Sequence, residues 1–355
     1  MKKVAIVGTM GVPARYGGFE SLVENIIGDN CSDGIAYTVF CSSRDMDKSL
    51  RHYKGCELKY VPLHANGAQS VPYDILSMIC TVRGYDTILI LGTSGCLFLP
   101  ILRRLTSAKI IVNIDGLEHR RQKWGKMARR VLKRSEQKAM KYADVIIADN
   151  KGIQDYVTET YGRDSVVIAY GGDNAIRDVT DEQQHNILGQ YGMEQDGYAM
   201  AVCRIEPENN SHIVLEAFRQ TGHPLVYIGN WQHSTYARDL RKKYSGLPNI
   251  HLIDSIYDLD VLYALRKNAH CYVHGHSAGG TNPSLVEAMA IGCRILAFDV
   301  VYNRETTHGK ALYFEDVDSL ISLLGTEWGD YSELQAIARE HYTWPIIARA
   351  YEALY

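Results

Sequence analysis

Three loops of this chain combine residue types that suit the holding of an anion. Gly8-Thr9-Met10-Gly11 closes an apolar run, and Gly17-Gly18-Phe19-Glu20 follows a short loop and opens a helix-period segment. Glycines at a helix start let backbone N–H groups approach an anion while the helix dipole points at it. The plain alternative is a turn and a helix start. The spacing is not GxGxxG and no acid ends the second strand as a ribose clamp, which counts against a nicotinamide dehydrogenase. A second loop, residues 275–284 (Gly-His-Ser-Ala-Gly-Gly-Thr-Asn-Pro-Ser), runs into the helix-period segment 285–290. Glu287 is expected in the first turn of that helix, where it either faces a ligand or stabilises the dipole. In the third, residues 201–211, Arg204 emerges at a strand end. A guanidinium there suits a phosphate, and the alternative is a salt bridge to Glu206 or Glu208.

Positioning such loops requires strands that end at one sheet edge. Short apolar, mostly β-branched runs recur at residues 4–7, 37–40, 87–91, 109–114, 144–148 and 166–169, then at 198–202, 225–228, 250–253, 271–274 and 294–298. Helix-period segments lie between them at 19–27, 127–140, 212–218, 259–269 and 285–290. This alternation predicts an α/β protein with two doubly wound parallel sheets. A polar stretch from Tyr170 to Gly197 marks the boundary. The expected domains are 1–170, 171–330 and an aromatic-rich helical segment, 331–355, that packs back on the first.

Composition agrees with an ordinary globular chain. Its 355 residues are 46% hydrophobic and 22% charged, with a formal charge of −3, which excludes disorder and a generally basic nucleic-acid binder. Eight cysteines without a CxxC pair predict a cytoplasmic chain free of disulfides and zinc. The start, Met1-Lys2-Lys3-Val4-Ala5-Ile6-Val7-Gly8, has too few apolar residues for a secretory leader and is expected to be a strand. The longest apolar stretch, 87–102, is shorter than the ~18 residues of a membrane span.

The charge is unevenly placed. Between His119 and Lys141 ten cations face one acid, Glu136, with Trp124, Met127, Val131, Leu132 and Met140 interleaved. Such a basic amphipathic segment suits an anionic leaflet. Arg120, Arg121, Lys123, Trp124, Lys126, Arg129 and Arg130 are its candidate membrane or acceptor contacts, and a lipid-diphosphate acceptor would account for them. The Asp-x-Asp matches at Asp45, Asp258 and Asp316 sit beside helix starts and read as caps rather than a metal site.

Taken together, the Gly17-Gly18 loop, Arg204 and the run from Asn282 to Gly292 resemble the GT-B glycosyltransferases of the large retaining family four. More narrowly, Ala14-Arg15-Tyr16-Gly17-Gly18-Phe19-Glu20, residues 204–210, 274–287 and 297–305 resemble bacterial rhamnosyltransferases that build capsule and cell-wall polysaccharide. The resemblance implies two Rossmann-like domains facing across a cleft, the N-terminal one binding acceptor and the C-terminal one the nucleotide sugar. It implies dTDP-L-rhamnose as donor, a lipid-linked saccharide as acceptor, retention of configuration and no metal or other cofactor. It makes Gly17 and Gly18 diphosphate contacts, Arg204 the diphosphate's cation and Glu287 the ribose partner. Asn209, His276, Gly280, Thr281, Asn282 and Glu305 are further donor-binding candidates. Asp115 and Asp149, at two strand ends, are the catalytic candidates, and Tyr170 is a weaker one; for Asp115 the alternative is a turn cap at Gly116. Two departures stand out: Gly279 replaces the first Glu of the family's E-x7-E, which suits a 6-deoxy sugar, and Asn209 replaces its usual Lys. A nucleotide-sugar epimerase or dehydrogenase would need a YxxxK base, and Tyr156 is followed by Val157-Thr158-Glu159-Thr160 instead.

Overall fold

The computed structural model describes residues 1–14, 17–28, 32–120, 124–326 and 331–355. They form two compact units, Met1–Tyr170 with Trp344–Tyr355, and Gly171–Thr343. In chain order the first begins β1 (Lys2–Val7), α1 (Gly18–Ile26), β2 (Ile35–Ser42), β3 (His52–Tyr53), β4 (Cys56–Val61), α2 (Ser70–Ile79), β5 (Thr87–Leu91) and α3 (Leu99–Leu105). It continues β6 (Lys109–Asn113), α4 (Lys126–Tyr142), β7 (Val145–Ala148), α5 (Lys151–Tyr161) and β8 (Val166–Val167). The second unit opens α6 (Asp181–Gln190), β9 (Ala199–Val202), α7 (Ser211–Thr221), β10 (Leu225–Ile228), α8 (Thr235–Tyr244), β11 (Ile250–Ile253) and α9 (Leu259–Lys267). It closes β12 (Cys271–His274), α10 (Pro283–Ile291), β13 (Ile295–Phe298), α11 (Val301–Thr306), β14 (Leu312–Phe314), α12 (Val317–Leu324) and α13 (Ser332–His341). The last helix, α14 (Trp344–Glu352), returns to the first unit.

Among the described residues the first sheet runs β3-β4-β2-β1-β5-β6-β7-β8, parallel throughout except for β3. β1 is flanked by β2 and β5, so the chain leaves it in opposite directions and a crevice opens at the C-terminal ends of β1 and β5. Gly8 makes that edge possible. It has φ +89°, and a Cβ there would stand 2.1 Å from the Leu91 carbonyl oxygen. The second sheet, β11-β10-β9-β12-β13-β14, is fully parallel and has its reversal at β9 and β12. Arg204 follows β9 and the glycine-rich loop follows β12, so both lie where ligands sit in open α/β sheets. Both faces of this sheet are covered. Val214, Leu215, Phe218 and Trp231 pack on one, and Met200, Val226, Ile228 and Leu265 on the other.

Three expectations are corrected. The polar boundary stretch contains helix α6, because Thr180 and Gln183 form a capping box that starts it. The segment 331–355 does not act as one element. Helix α13 stays with the second unit, where Gln335 Nε2 donates to the Ala290 carbonyl at 3.1 Å. Only α14 joins the first, burying the stripe Trp344, Ile347, Ala348 and Tyr351. Strand β4 lay outside the expected runs because Cys56-Glu57-Leu58-Lys59-Tyr60-Val61 alternates with charge and shows no continuous apolar run.

Candidate functional site

In the second unit two loops are laced together. After β9 the chain turns at Glu206, whose N–H donates to the Arg204 carbonyl at 2.9 Å, and Asn210 adopts a left-handed conformation before α7. Asn209 is buried and both ends of its amide are engaged: Nδ2 donates to the Arg204 carbonyl and Oδ1 meets His276 Nδ1. Ser277 N–H and Oγ both donate to the Glu208 carbonyl at 2.8 Å. Asn303 Nδ2 fixes the other side of His276 through its carbonyl, at 2.9 Å. Gly275 allows the approach, since a Cβ there would lie 2.3 Å from the Asn209 carbonyl oxygen. Asn209, expected among the donor contacts, also pins the two loops together.

That lacing leaves Arg204 half-buried with no ion-pair partner among the described residues; Glu206 instead has His233 Nε2 at 3.6 Å. The glycine loop brings buried Gly280 and Thr281 to the start of α10, where Asn282 Oδ1 accepts from Ser284 N at 3.0 Å and Ser284 Oγ at 2.8 Å. The helix begins at Pro283, so Glu287 lies in its second turn, and the first-turn expectation is corrected. Its carboxylate Oε2 is 3.2 Å from the guanidinium of Arg266, which is only 3% exposed. Arg266 also lies over the Tyr272 ring, 5.7 Å from its centroid. Burial drives His274, at the end of β12, down to about 3, so its ring is neutral. Glu305 is exposed on α11, beside the Arg304–Asp299 ion pair.

In the first unit the edge of the sheet gathers acids. Gly17 has φ +127°, and a Cβ would stand 1.9 Å from Glu20 Oε2. Glu20 Oε1 accepts from Met10 N at 2.7 Å and Thr9 Oγ1 at 3.0 Å, which closes the Gly8–Gly11 turn onto α1. Burial raises the Glu20 pKa against those hydrogen bonds, and the charge of Asp115 adds to the rise. Gly18 faces Tyr170, whose hydroxyl oxygen would be 3.4 Å from an added Cβ. Tyr170 is pushed well above the ordinary phenol value by burial and then by Asp115, Asp149 and Glu20. Asp115 follows β6 with φ +58°, and Asp149, 1% exposed, follows β7. The structure thus brings Gly17, Gly18, Asp115, Asp149 and Tyr170 to one edge. It adds Glu20, whose signal in the sequence was its place two residues after the glycine pair, in the first turn of α1.

Helix α4 carries the described part of the basic segment. Arg121 and Lys123 lie outside the described residues, as does the side chain of Arg120. Lys126, Arg130 and Arg134 are exposed, with Met127 at 78% and Val131 at 36% beside them, while Arg129 and Trp124 are half-buried. Trp124 Nε1 donates to Glu118 at 2.8 Å. Lys133 turns inward to Glu136 and Tyr156. Burial works to raise the Glu136 pKa, but hydrogen bonds from His119, Tyr161 and Tyr156 outweigh it and hold the group at about 2. The Asp-x-Asp carboxylates are engaged locally. Asp258 and Asp316 cap α9 and α12, and Asp45 meets His64 Nδ1 at 2.6 Å. Among the described residues there is no cluster of three metal-ligating side chains and no helix long and apolar enough to cross a membrane.

Residues 1–173 match a family described as a domain of unknown function (DUF1972), and residues 183–314 match the family Glycosyl transferases group 1. No curated protein matches the sequence. Among solved structures, sucrose-phosphate synthase of Thermosynechococcus elongatus is 16% identical over 100% of this chain and 98% of its own, with a TM-score of 0.83. HepE of Anabaena in complex with UDP-glucose is 16% identical over 100% and 99%, with a TM-score of 0.78. The catalytic domain of starch synthase IV from Arabidopsis thaliana, bound to ADP and acarbose, is 12% identical over 99% and 98%, with a TM-score of 0.72. These likenesses establish a GT-B fold.

Proposed function

We propose that this chain, whose residues 183–314 are a group 1 glycosyltransferase domain in a GT-B fold, moves L-rhamnose from dTDP-L-rhamnose to a hydroxyl of a lipid-linked saccharide, in capsule or cell-wall polysaccharide synthesis. The observation that carries the transferase reading is Arg204, a guanidinium without an ion-pair partner among the described residues, at the reversal of the second sheet. Departure of a nucleoside diphosphate develops negative charge on its phosphates, and a fixed guanidinium with a helix N-terminus stabilises that charge without metal. The start of α10, with Thr281 and Asn282 before it, supplies the backbone donors. Glu287 accepts from the ribose hydroxyls, Gly280 gives the nucleotide close approach to the backbone, and Glu305 contributes at the rim. His276 shapes the loop through its bond to Asn209.

At the edge of the first sheet Gly17 and Gly18 offer backbone to the donor diphosphate. Asp115 orients the sugar or the acceptor hydroxyl, and buried Asp149, at the end of the next strand, is the second catalytic candidate at this edge. Transfer proceeds with retention, the departing phosphate taking the acceptor proton on the same face, and no covalent nucleophile is assigned. The 6-deoxy donor is supported by Gly279 at the position where the family's first glutamate would reach sugar hydroxyls. The protein works in the cytoplasm, on the inner face of the membrane, with Lys126, Arg129 and Arg130 toward anionic lipid.

A second reading, a UDP- or GDP-hexose donor, is favoured by the fold's likeness to HepE, solved with UDP-glucose. Incubating the protein with labelled dTDP-L-rhamnose and a bacterial lipid extract tests the choice. Label entering the organic phase, with a product anomer of unchanged configuration by NMR, is expected. Label entering only from UDP- or GDP-hexose contradicts the donor, and an inverted product contradicts retention.

A further inference from the structure

Asp115 is not a glycine, yet its backbone sits in the left-handed region at φ +58°. A side chain there is disfavoured unless its surroundings hold it, and such positions gather at functional sites. Two side chains supply the hold. The Asp115 N–H donates to Asn113 Oδ1 at 2.9 Å, and Asn113 Nδ2 donates to the Tyr351 hydroxyl at 2.7 Å. Asn113 and Tyr351 are both buried, and 238 positions of sequence separate them.

We propose that Asn113 and Tyr351 are positioning residues that fix Asp115 for the reaction. The inference rests on the role given to Asp115 above. An asparagine amide has an accepting end and a donating end, and only the accepting end can receive the Asp115 N–H. Rotated by half a turn, Asn113 would present its NH2 to that N–H, donor against donor. The Asp115 N–H, which can only donate, therefore sets the orientation of the amide, and the Tyr351 oxygen takes the NH2 that this orientation leaves on the other side. Burial, reinforced by the charges of neighbouring groups including Asp149 and Asp115, outweighs the lowering effect of the hydrogen bond to Asn113 and leaves this phenol far above its ordinary pKa, so it stays a neutral hydroxyl. Tyr351 also belongs to α14, the helix that returns from the end of the second unit to the first. Helix α14 therefore contributes a residue to the site as well as apolar packing.

The test is hydrogen exchange read amide by amide by NMR, paired with kinetics on dTDP-L-rhamnose and lipid extract. In Tyr351→Phe, which keeps the ring, the Asp115 amide is expected to exchange at least tenfold faster while Ile111 and Val112 in β6 keep their rates. Asn113→Asp, whose carboxylate still accepts from the Asp115 N–H and replaces the donated bond to Tyr351 by one accepted from its hydroxyl, is expected to keep Asp115 slow. Turnover in Tyr351→Phe is expected to fall about fivefold or more at unchanged donor KM, with no further loss when Asp115 is already Asn. Unchanged exchange at Asp115, or equal acceleration along β6, overturns the proposal. So does an equal fall in turnover on the Asp115→Asn background. Full turnover by Asp115→Asn strikes the reading of Asp115 itself and this inference with it. Slow turnover there with unchanged exchange in Tyr351→Phe strikes this inference alone.

Discussion

Arg204 and Glu287, two charged residues of the candidate site, stand in very different surroundings. Arg204 has no ion pair to lose among the described residues, whereas Glu287 is tied to a guanidinium that is almost wholly buried. Arg204→Ala is therefore expected to leave the melting temperature of the free protein nearly unchanged. Arg266→Ala should lower it, because Glu287 is left without its partner and a cavity opens beside Tyr272. Differential scanning fluorimetry of both variants without ligand checks the contrast. Glu136 makes a separate prediction in pH. Its folded pKa, about 2, lies below the ordinary carboxylate value. The stabilisation it contributes is then present above the unfolded pKa near 4.5 and lost as pH falls through 2. Glu136→Gln should cost on the order of 2–3 kcal/mol at pH 7 and show a shallower loss of stability between pH 4.5 and 2, read by urea unfolding.

Among the elements, the loops after β9 and β12 act as one. Gly275→Ala would drive a Cβ into the Asn209 carbonyl at 2.3 Å, and both sit in the lacing that holds the Arg204 turn against the glycine loop. That variant is expected to fold with reduced stability and to bind nucleotide at least tenfold more weakly, measured by isothermal titration calorimetry. Much of this arrangement was legible beforehand. Parallel strands leave near-continuous apolar runs, and the edge loops announce themselves by glycine and by Arg204 at a run's end. Less legible was anything decided by partners distant in sequence. Asn209 reads in the sequence as a donor contact standing where the family has a lysine, and its bond to His276, which spans two loops, is not visible there. Glu287 was assigned one turn too early because Pro283 begins the helix and Asn282 caps it. Asn113 reads as the end of an apolar strand until Tyr351 is placed beside it. Helices α5 and α8 do carry a helix-period stripe, Ile153 and Val157 in one and Ala237, Leu240 and Tyr244 in the other, but it is short and set among charged residues.

At the scale of the whole molecule, a chain of formal charge −3 exposes a group of cations along α4. Lys126, Arg130 and Arg134 of α4 are exposed beside Met127, and Ile101 and Leu105 of α3 are exposed as well. Replacing the three cations by Glu should cut binding to vesicles containing anionic lipid by roughly 100-fold or more, at about 1 kcal/mol per charge removed. Equal flotation of the variant and the parent protein would contradict a role for that face. The two crossings between the units, at Tyr170–Gly171 and Thr343–Trp344, tie the terminal helix to the first unit, so truncation after Thr343 is expected to destabilise that unit. The central claim concerns the donor, and the melting temperature against UDP, GDP, dTDP and dTDP-L-rhamnose tests it most directly. A ligand bound only to the folded state stabilises it by about 2.7 kcal/mol at a hundredfold excess over its dissociation constant. A selective rise with the two thymidine compounds, absent in Arg204→Ala, is the predicted result; a rise with UDP or GDP alone, or with no nucleotide, would contradict it.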